Sequence, residues 1–227
     1  MVKIEPGSDR QNCIVIVTIV LGFRKGKKKM RQQVIDWLKE NVNEHRLRHI
    51  LGVETMCIDL ARHHNLDPVQ AGQAGLLHDL AKFFKPKKLL KMAESAGIDV
   101  DNICASHPHL LHADVSAIVA QKEFNVIDEE ILEAIRNHTL GKPNMSDLSC
   151  IVFIADALEP NRGDTPELNA LRQLSYQNLH KSVQQTCDYS LKYLLSSHCP
   201  IHPRTVLTRN WALQIVKEQP TETKTID

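Results

Sequence analysis

From Met30 onward, apolar residues recur three and four positions apart, which is the spacing of one face of an α-helix. The strict alternation of apolar and polar residues that is typical of half-buried strands is almost absent. The pattern predicts a first helix over about 30–43 and a second helix that carries His49 near its start.

Local start and stop signals place the later helices. Asp67 and Pro68 combine an N-cap candidate with proline at the first helical position, and the helix that they open is expected to run to about Phe84. The other predicted helices are Pro86 to about Gly97, 112–123, Asp128 to Asn137–His138, Asp147 to Leu158, and two or three more within 165–197 and 203–217. The sequence therefore predicts an all-α fold.

The predicted domain covers residues 30–217, with a non-core extension at 1–29 and a polar tail at 218–227. The extension contains an apolar run, 13–21, that is about half of the ~20 residues needed to span a membrane. Positive charge follows this run instead of preceding it, so it does not fit a signal peptide either.

Composition and charge narrow the class of protein. Hydrophobic residues make up 42%, charged residues 24%, and the formal net charge is +1, as in an ordinary soluble globular protein. We expect neither nucleic acid nor an anionic membrane as partner, because no large excess of charge would attract them. The six cysteines form no CxxC pair, which argues against a zinc ribbon or a disulfide framework and favours a reducing cytoplasm.

Candidate chemistry lies in the segment GLLHDLAK, where His78, Asp79 and Lys82 interrupt an apolar stretch. Burying such groups without partners costs free energy, and imidazole with carboxylate is a donor pair that suits transition metals. An isolated His-Asp pair is more often a surface feature. The twelve histidines of the chain make the metal interpretation worth pursuing.

Four more polar residues stand near helix ends or face the predicted core: His49, His112, His138 and Asp156. Asp156 follows the buried run IVFIA, so its carboxylate is expected to pair with Arg162 or with a metal, and we favour the metal. Helices that each offer one ligand inward can surround a metal pair.

The order His, His-Asp, His, His, Asp resembles that of the HD-domain metal-dependent phosphohydrolases. Within that superfamily the chain is most similar to the YqeK-type symmetrical bis(5'-nucleosyl)-tetraphosphatases. The matching segments are RLRHILGV (46–53), AGLLHDLAK (74–82), LLHADV (110–115), AIRNHTLG (134–141), MSDL (145–148), ADALEPNR (155–162) and IHPRT (201–205). Ser116, where a small glycine is expected, and Leu140, where a second threonine is common, depart from the pattern.

The resemblance implies an HD-domain helical bundle with a metal site between its helices. The implied metal ligands are His49, His78, Asp79 and Asp156, and His112 and His138 would bind a second metal or phosphate. The implied catalytic residues are Asp79 and Lys82. The implied contacts to the ADP half of a substrate are Asp79, Leu80, Ala81, Lys82, His112, His138, Thr139, Arg162, Ile201, His202, Pro203, Arg204, Thr205 and Val206. Iron is the expected metal, as one or two ions, with manganese or cobalt as alternatives.

The activity implied by the resemblance is the metal-dependent hydrolysis of diadenosine tetraphosphate to two ADP. The dinucleotide is then the expected partner, and a homodimer is a possible assembly. Two alternatives remain open: an HD phosphohydrolase that acts on mononucleotides or cyclic nucleotides, and a nucleotide-binding module without turnover. The second alternative is less favoured, because degenerate HD domains usually lack a ligand and this chain lacks none.

Overall fold

The computed structural model describes residues 29–218, and within them it contains helices and no strand. The first helix, α1, covers 29–41. The others are α2 Glu44–His63, α3 Pro68–Leu77, α4 Pro86–Ser95, α5 Asn102–Ser106, α6 His112–Phe124, α7 Glu129–Asn137, α8 Asp147–Leu158, α9 Pro166–Gln177, α10 Leu179–Ser196 and α11 Pro203–Glu218. Two short 3₁₀ turns lie at Pro108–Leu111 and Pro160–Arg162. The all-α prediction is confirmed.

Side-chain caps explain why the helices begin where they do. The Asp67 carboxylate accepts the amides of Val69 and Gln70, and Pro68 fills the first turn of α3. Asp128 caps α7 in the same way, and the Ser146 hydroxyl caps α8. These starts follow the sequence closely, since each cap acts within three residues of itself.

The end of α3 differs from the prediction. The helix ends at Leu77, and the next six residues form turns. His78 and Asp79 therefore lie in the turn after the helix and not within it. The Ala81 amide donates to the hydroxyl of Ser116 at 2.9 Å, which draws it away from a helical acceptor. The chain therefore turns into the interior and carries Asp79 with it.

The centre of the fold is formed by α2 and α3, which pack closely against each other, and by the buried helix α8. A Cβ atom on Gly75 would lie 2.9 Å from the sulfur of Cys57 on α2, so only glycine allows this approach. The side chains of Ile151 and Ile154 on α8 are fully buried. Since α8 contacts α2, α3, α7 and α10, the polar residues at these helices' inner ends converge.

The expectations for residues 1–28 and for the tail beyond 218 lie outside the described residues. At the start of the described part, Met30 is partly buried against the core. Between residues 29 and 218, no helix has both the length and the apolar character required to cross a membrane.

Candidate metal centre

Six polar residues predicted from the sequence meet in the interior, each brought by a different helix or by the turn after α3. Four histidines and one aspartate are between 0 and 3% exposed, and the side chain of the second aspartate is 21% exposed. They are His49, His78, Asp79, His112, His138 and Asp156.

Backbone contacts fix the ring orientation of three of these histidines. Nδ1 of His78, His112 and His138 lies 2.5–2.7 Å from the carbonyl oxygen three residues earlier in the chain. A carbonyl oxygen can only accept, so Nδ1 carries the proton and Nε2 presents a lone pair to the interior. This arrangement is typical of histidines that bind metals.

The first donor set consists of His49, His78, Asp79 and Asp156. Nε2 of His49 lies 3.0 Å from Oδ1 of Asp156 and 3.9 Å from Oδ2 of Asp79. Nε2 of His78 lies 3.7 Å from Oδ1 of Asp156 and 3.6 Å from Oδ2 of Asp79. Donors about 2.1 Å from one ion are separated by about 3.0 Å at right angles and about 3.4 Å at tetrahedral angles. The spacing therefore fits one divalent transition metal.

A buried atom without a partner supports the same fit. Nε2 of His78 has no hydrogen-bond partner among the described residues, although the side chain is fully buried. Such an atom is costly unless something binds it. A cation between His78 and the two carboxylates would satisfy it.

The second donor set shares Asp79 with the first. Oδ1 of Asp79 lies 3.2 Å from Nε2 of His112 and 3.6 Å from Nε2 of His138. The two Nε2 atoms are 3.0 Å apart, and with both protons on Nδ1 they cannot bond to each other. Lys82 Nζ and Thr139 Oγ1 lie 3.2 and 3.1 Å from Nε2 of His112. This set suits either a second cation or phosphate oxygens.

Charge in the site is set by burial and close contact. Burial lowers the pKa of His78 to about 3 and also lowers the pKa of His112. Burial by itself raises the pKa of Asp79, but contact with the surrounding imidazoles outweighs it, and the pKa lies well below the ordinary value. The pKa of Asp156 is lowered in the same way. Neutral imidazoles and ionised carboxylates at neutral pH are the forms that bind metals.

Arg162 approaches the centre, but its guanidinium contacts Asp156. Its NH2 group lies 2.6 Å from Oδ1 of Asp156, and its Nε donates to the Asp156 carbonyl at 2.7 Å. The sequence left open whether Asp156 pairs with arginine or with a metal. In the structure, Oδ1 of Asp156 contacts Arg162 and also faces the other members of the first donor set. The side chain of Arg162 is 39% exposed, so its outer edge can still reach a phosphate.

Two residues of the site were missed by the sequence reasoning. Arg46 donates to Oδ2 of Asp79 at 2.8 Å, and Glu159 lies 3.0 Å from Nδ1 of His49. Both stand inside the segments that carry the family resemblance. Their partners are 33 and 110 positions away, so no local pattern assigns them a role.

A cavity of about 480 Å³ adjoins the second donor set through Thr139. The segment 201–206 contributes His202 and Thr205 to its wall, whereas Val206 is exposed and not part of it. The cavity is lined by His107, His109, Leu110, Thr139, Leu140, Ser190, Tyr193, Leu194, His198, Cys199, Pro200, His202 and Thr205. His107 is half-buried and His109 is exposed, and both line this cavity.

His202 and Arg204 are held by protein contacts. Nε2 of His202 lies 2.7 Å from Asp101, and its Nδ1 accepts the Arg204 amide at 3.1 Å. Because Nδ1 is an acceptor, Nε2 carries the proton, so this histidine is not prepared to bind a metal. Nε of Arg204 is buried without a hydrogen-bond partner among the described residues.

Leu80 and Ala81 are fully buried, so only their backbone could contact a ligand. The Ser116 hydroxyl that replaces the expected glycine accepts the Ala81 amide, and it therefore fits the turn. Leu140 is buried beside the cavity, and its carbonyl accepts the hydroxyl of Thr208 at 3.1 Å. Both departures from the family pattern are accommodated.

Comparison with known proteins agrees with this geometry. A family model for the HD domain matches residues 46–161. A Bacillus subtilis (strain 168) protein described as "Bis(5'-nucleosyl)-tetraphosphatase, symmetrical" is 35% identical over 181 residues, which is 80% of this chain and 96% of the relative. A protein of the same description from Halalkalibacterium halodurans is 34% identical and covers 83% of this chain and 98% of the relative.

A solved structure is similar as well. The crystal structure of a Clostridium acetobutylicum protein, described as a "predicted HD superfamily hydrolase involved in NAD metabolism", superposes with a TM-score of 0.78 at 32% identity. The match covers 81% of this chain and 97% of the other. The fold and the sequence therefore point to the same HD family.

Proposed function

The chain belongs to the HD domain family, and we propose that it hydrolyses diadenosine tetraphosphate symmetrically to two ADP. The observation that carries the proposal is the convergence of four buried imidazoles on two carboxylates beside a cavity. The names of the Bacillus and Halalkalibacterium relatives support the substrate and the symmetrical cleavage.

We assign His49, His78, Asp79 and Asp156 as the ligands of a divalent transition metal. When bound, such a metal neutralises phosphate oxygens and lowers the pKa of a coordinated water. Iron is the metal we propose, with manganese and cobalt as alternatives, because imidazole and carboxylate donors suit all three. His112 and His138 hold a second ion or the phosphate next to the point of cleavage.

The substrate carries more negative charge than one metal can neutralise. Lys82 contacts His112 of the second donor set, and Arg162 contacts Asp156 of the first. Their charges attract phosphate oxygens, and the Arg162 fork can bind one in bidentate fashion. Asp79 lies between the two donor sets and orients both, which fits its assignment as a catalytic residue together with Lys82.

The nucleoside of one ADP half occupies the cavity beside Thr139. Its wall includes Tyr193, Leu194 and the 201–206 residues His202 and Thr205, which offer both apolar surface and hydrogen-bonding groups. The Arg204 amide donates to Nδ1 of His202 and its guanidinium donates to the Arg136 carbonyl, so Arg204 holds His202 in this wall. With the nucleoside there, its two phosphates extend past His112 toward the metal, so that the central bridge of the tetraphosphate lies at the cleavage point.

Product analysis tests this function. The protein, loaded anaerobically with Fe²⁺ or Mn²⁺, is incubated separately with diadenosine tetraphosphate, AMP, ATP, a cyclic nucleotide and NAD⁺. We expect ADP as the only product from the tetraphosphate, and no turnover after removal of metal by a chelator. AMP plus ATP, or faster turnover of a mononucleotide or cyclic nucleotide, contradicts the proposal. Binding without any hydrolysis would favour the non-catalytic module.

We place the enzyme in a reducing cytoplasm, because all five cysteines within the described residues are free thiols. A homodimer is compatible with the proposal. Nucleic acid and membranes are not proposed as partners.

A further inference from the structure

Glu159 is a buried carboxylate that the metal site does not use directly. Its side chain is 1% exposed and lies just after the end of α8. One oxygen lies 3.0 Å from Nδ1 of His49, and the other accepts the backbone amide and the side-chain amide of Asn161 at 2.8 and 2.7 Å. The carboxylate is therefore fully engaged, and all of its partners are donors.

The protein fixes the position of this carboxylate independently of any ligand. A Cβ atom on Gly52 would lie 2.3 Å from Oε2 of Glu159, so glycine on α2 leaves the space that the carboxylate fills. Arg172 donates to the carbonyls of Leu158, Glu159 and Gly163 and holds the turn that follows α8. The carboxylate thus sits in a built pocket.

His49 differs from the other three histidines of the site in its Nδ1 partner. His78, His112 and His138 use a neutral backbone carbonyl, whereas His49 uses a carboxylate. A carboxylate is the stronger acceptor, so it keeps the proton on Nδ1 and makes Nε2 a more basic donor. Nε2 of His49 also lies closer to Oδ1 of Asp156 than Nε2 of His78 does, at 3.0 against 3.7 Å.

We propose that Glu159 is the positioning residue of His49, which sets the orientation and the donor strength of its Nε2 toward the metal. The inference rests on the proposed function, because it takes His49 as a metal ligand. The same turn carries Arg162, which contacts Asp156. One short segment therefore orients a metal ligand and carries an arginine that we assign to phosphate binding.

Metal affinity of a matched pair of variants tests the proposal. Glu159→Gln keeps the size of the side chain but removes the charge and presents an amide to donors. Glu54→Gln is the control, because Glu54 is also buried, also lies in an ion pair, with Arg31, and sits on the same helix as His49. We expect Glu159→Gln to weaken binding of Mn²⁺, measured by calorimetry, about 10- to 100-fold. Glu54→Gln should stay within about twofold of the unmodified protein.

A second readout reports on the ring itself. In the Zn²⁺-loaded protein, the Nδ1 proton of His49 should resonate far downfield and move upfield in Glu159→Gln, while that of His78 stays in place. Asn161→Ala removes one donor to Glu159 without emptying the pocket, and it should weaken metal binding by a smaller factor. This variant serves if Glu159→Gln does not fold.

The outcomes separate the two proposals. Unchanged affinity in Glu159→Gln and Asn161→Ala, with metal bound by the unmodified protein, overturns the role of Glu159 and leaves the proposed function standing. If Glu159→Gln and Glu54→Gln weaken metal binding equally, the role of Glu159 is overturned as well, because the effect would then reflect the stability of the whole protein. If the unmodified protein binds no metal at this site, both proposals fail.

Discussion

At the scale of single residues, substitution of His78 or Asp79 tests the metal site. Nε2 of His78 is buried without a partner, and Asp79 faces both donor sets. We expect His78→Ala and Asp79→Ala to abolish turnover and to lose bound metal, with nearly unchanged helical circular dichroism. Elemental analysis after gel filtration measures the metal. A variant that kept most of its activity would remove its residue from the metal site.

Arg162 separates substrate binding from metal binding. Its guanidinium contacts Asp156 from the solvent side and can reach a phosphate oxygen. We expect Arg162→Ala to lower kcat/KM about 10- to 1,000-fold, at about 1.4 kcal/mol per tenfold, without loss of metal. Arg162→Lys should recover only part of the loss, because an ammonium lacks the bidentate fork.

The outcome for Arg162→Ala has a clear alternative. If the contact with Asp156 is only a surface ion pair, worth about 0–1 kcal/mol, the alanine variant keeps ordinary kinetics. Lys82 and Arg46 would then be the remaining cations that contact the donor sets. Steady-state kinetics with diadenosine tetraphosphate distinguish the two cases.

The residues that the sequence predicted and those that it missed differ in one respect. His78 and Asp79 stand out because polar groups within an apolar run are visible locally. Glu159 and Arg46 contact the site from positions 110 and 33 residues from their partners, where only the fold brings them together. Sequence order alone also could not tell that Arg162 contacts Asp156 through both its side chain and its carbonyl.

At the scale of elements, the turn after α3 is the point where the prediction was wrong. Helix starts were predicted well because caps are local, but the end of α3 depends on Ser116, which is 35 positions away. The extra hydrogen bond from the Ala81 amide to Ser116 replaces a helical one. A tertiary contact therefore decides where this helix ends.

Ser116→Ala tests that explanation. The change leaves the buried Ala81 amide without its acceptor, which should lower the free energy of unfolding by about 1–3 kcal/mol. Ser182→Ala is the matched control, because the Ser182 hydroxyl is also buried but has no hydrogen-bond partner among the described residues. Denaturant titration measures both. A similar small change in the two variants would show that the Ser116 contact does not hold the turn.

At the scale of the whole molecule, the periodicity of the chain was sufficient for the all-α class. The helical spacing persists from Met30 to the end of α11, so the fold class did not depend on any single contact. The spacing does not predict that five segments meet at one centre, because this depends on how α2, α3, α6, α7 and α8 pack. The family resemblance supplied that information, and spacing alone did not.

The proposed domain boundary gives a prediction for the whole chain. Met30 packs against the core near the start of α1. We expect a protein that begins at Met30 to be as helical per residue and as active as the full chain. Circular dichroism and the tetraphosphate assay check this. Aggregation or loss of activity would assign 13–21 to the folded domain.

The stability of the metal-free protein should depend on pH in a defined direction. His78 has a folded pKa of about 3 and an ordinary value of 6.5, and the pKa of His112 is lowered too. Between these values the unfolded chain binds more protons than the folded one, so the free energy of unfolding rises with pH. The lowered pKa values of Asp79 and Asp156 add stability in the same direction, and this part is lost as pH falls below about 4.

We therefore expect the metal-free protein to lose stability steadily as pH falls from about 6.5 toward 4, with a slope of up to about 1.4 kcal/mol per pH unit from each of His78 and His112. His78→Gln should flatten this slope, because the variant has one imidazole fewer to protonate on unfolding. His45→Gln, at an exposed position on α2, is the control for the loss of an imidazole. Urea titrations at several pH values in the presence of a chelator measure the slope of the free energy of unfolding against pH. An equal slope in His78→Gln and in the unmodified protein would mean that the fold does not lower the pKa of His78.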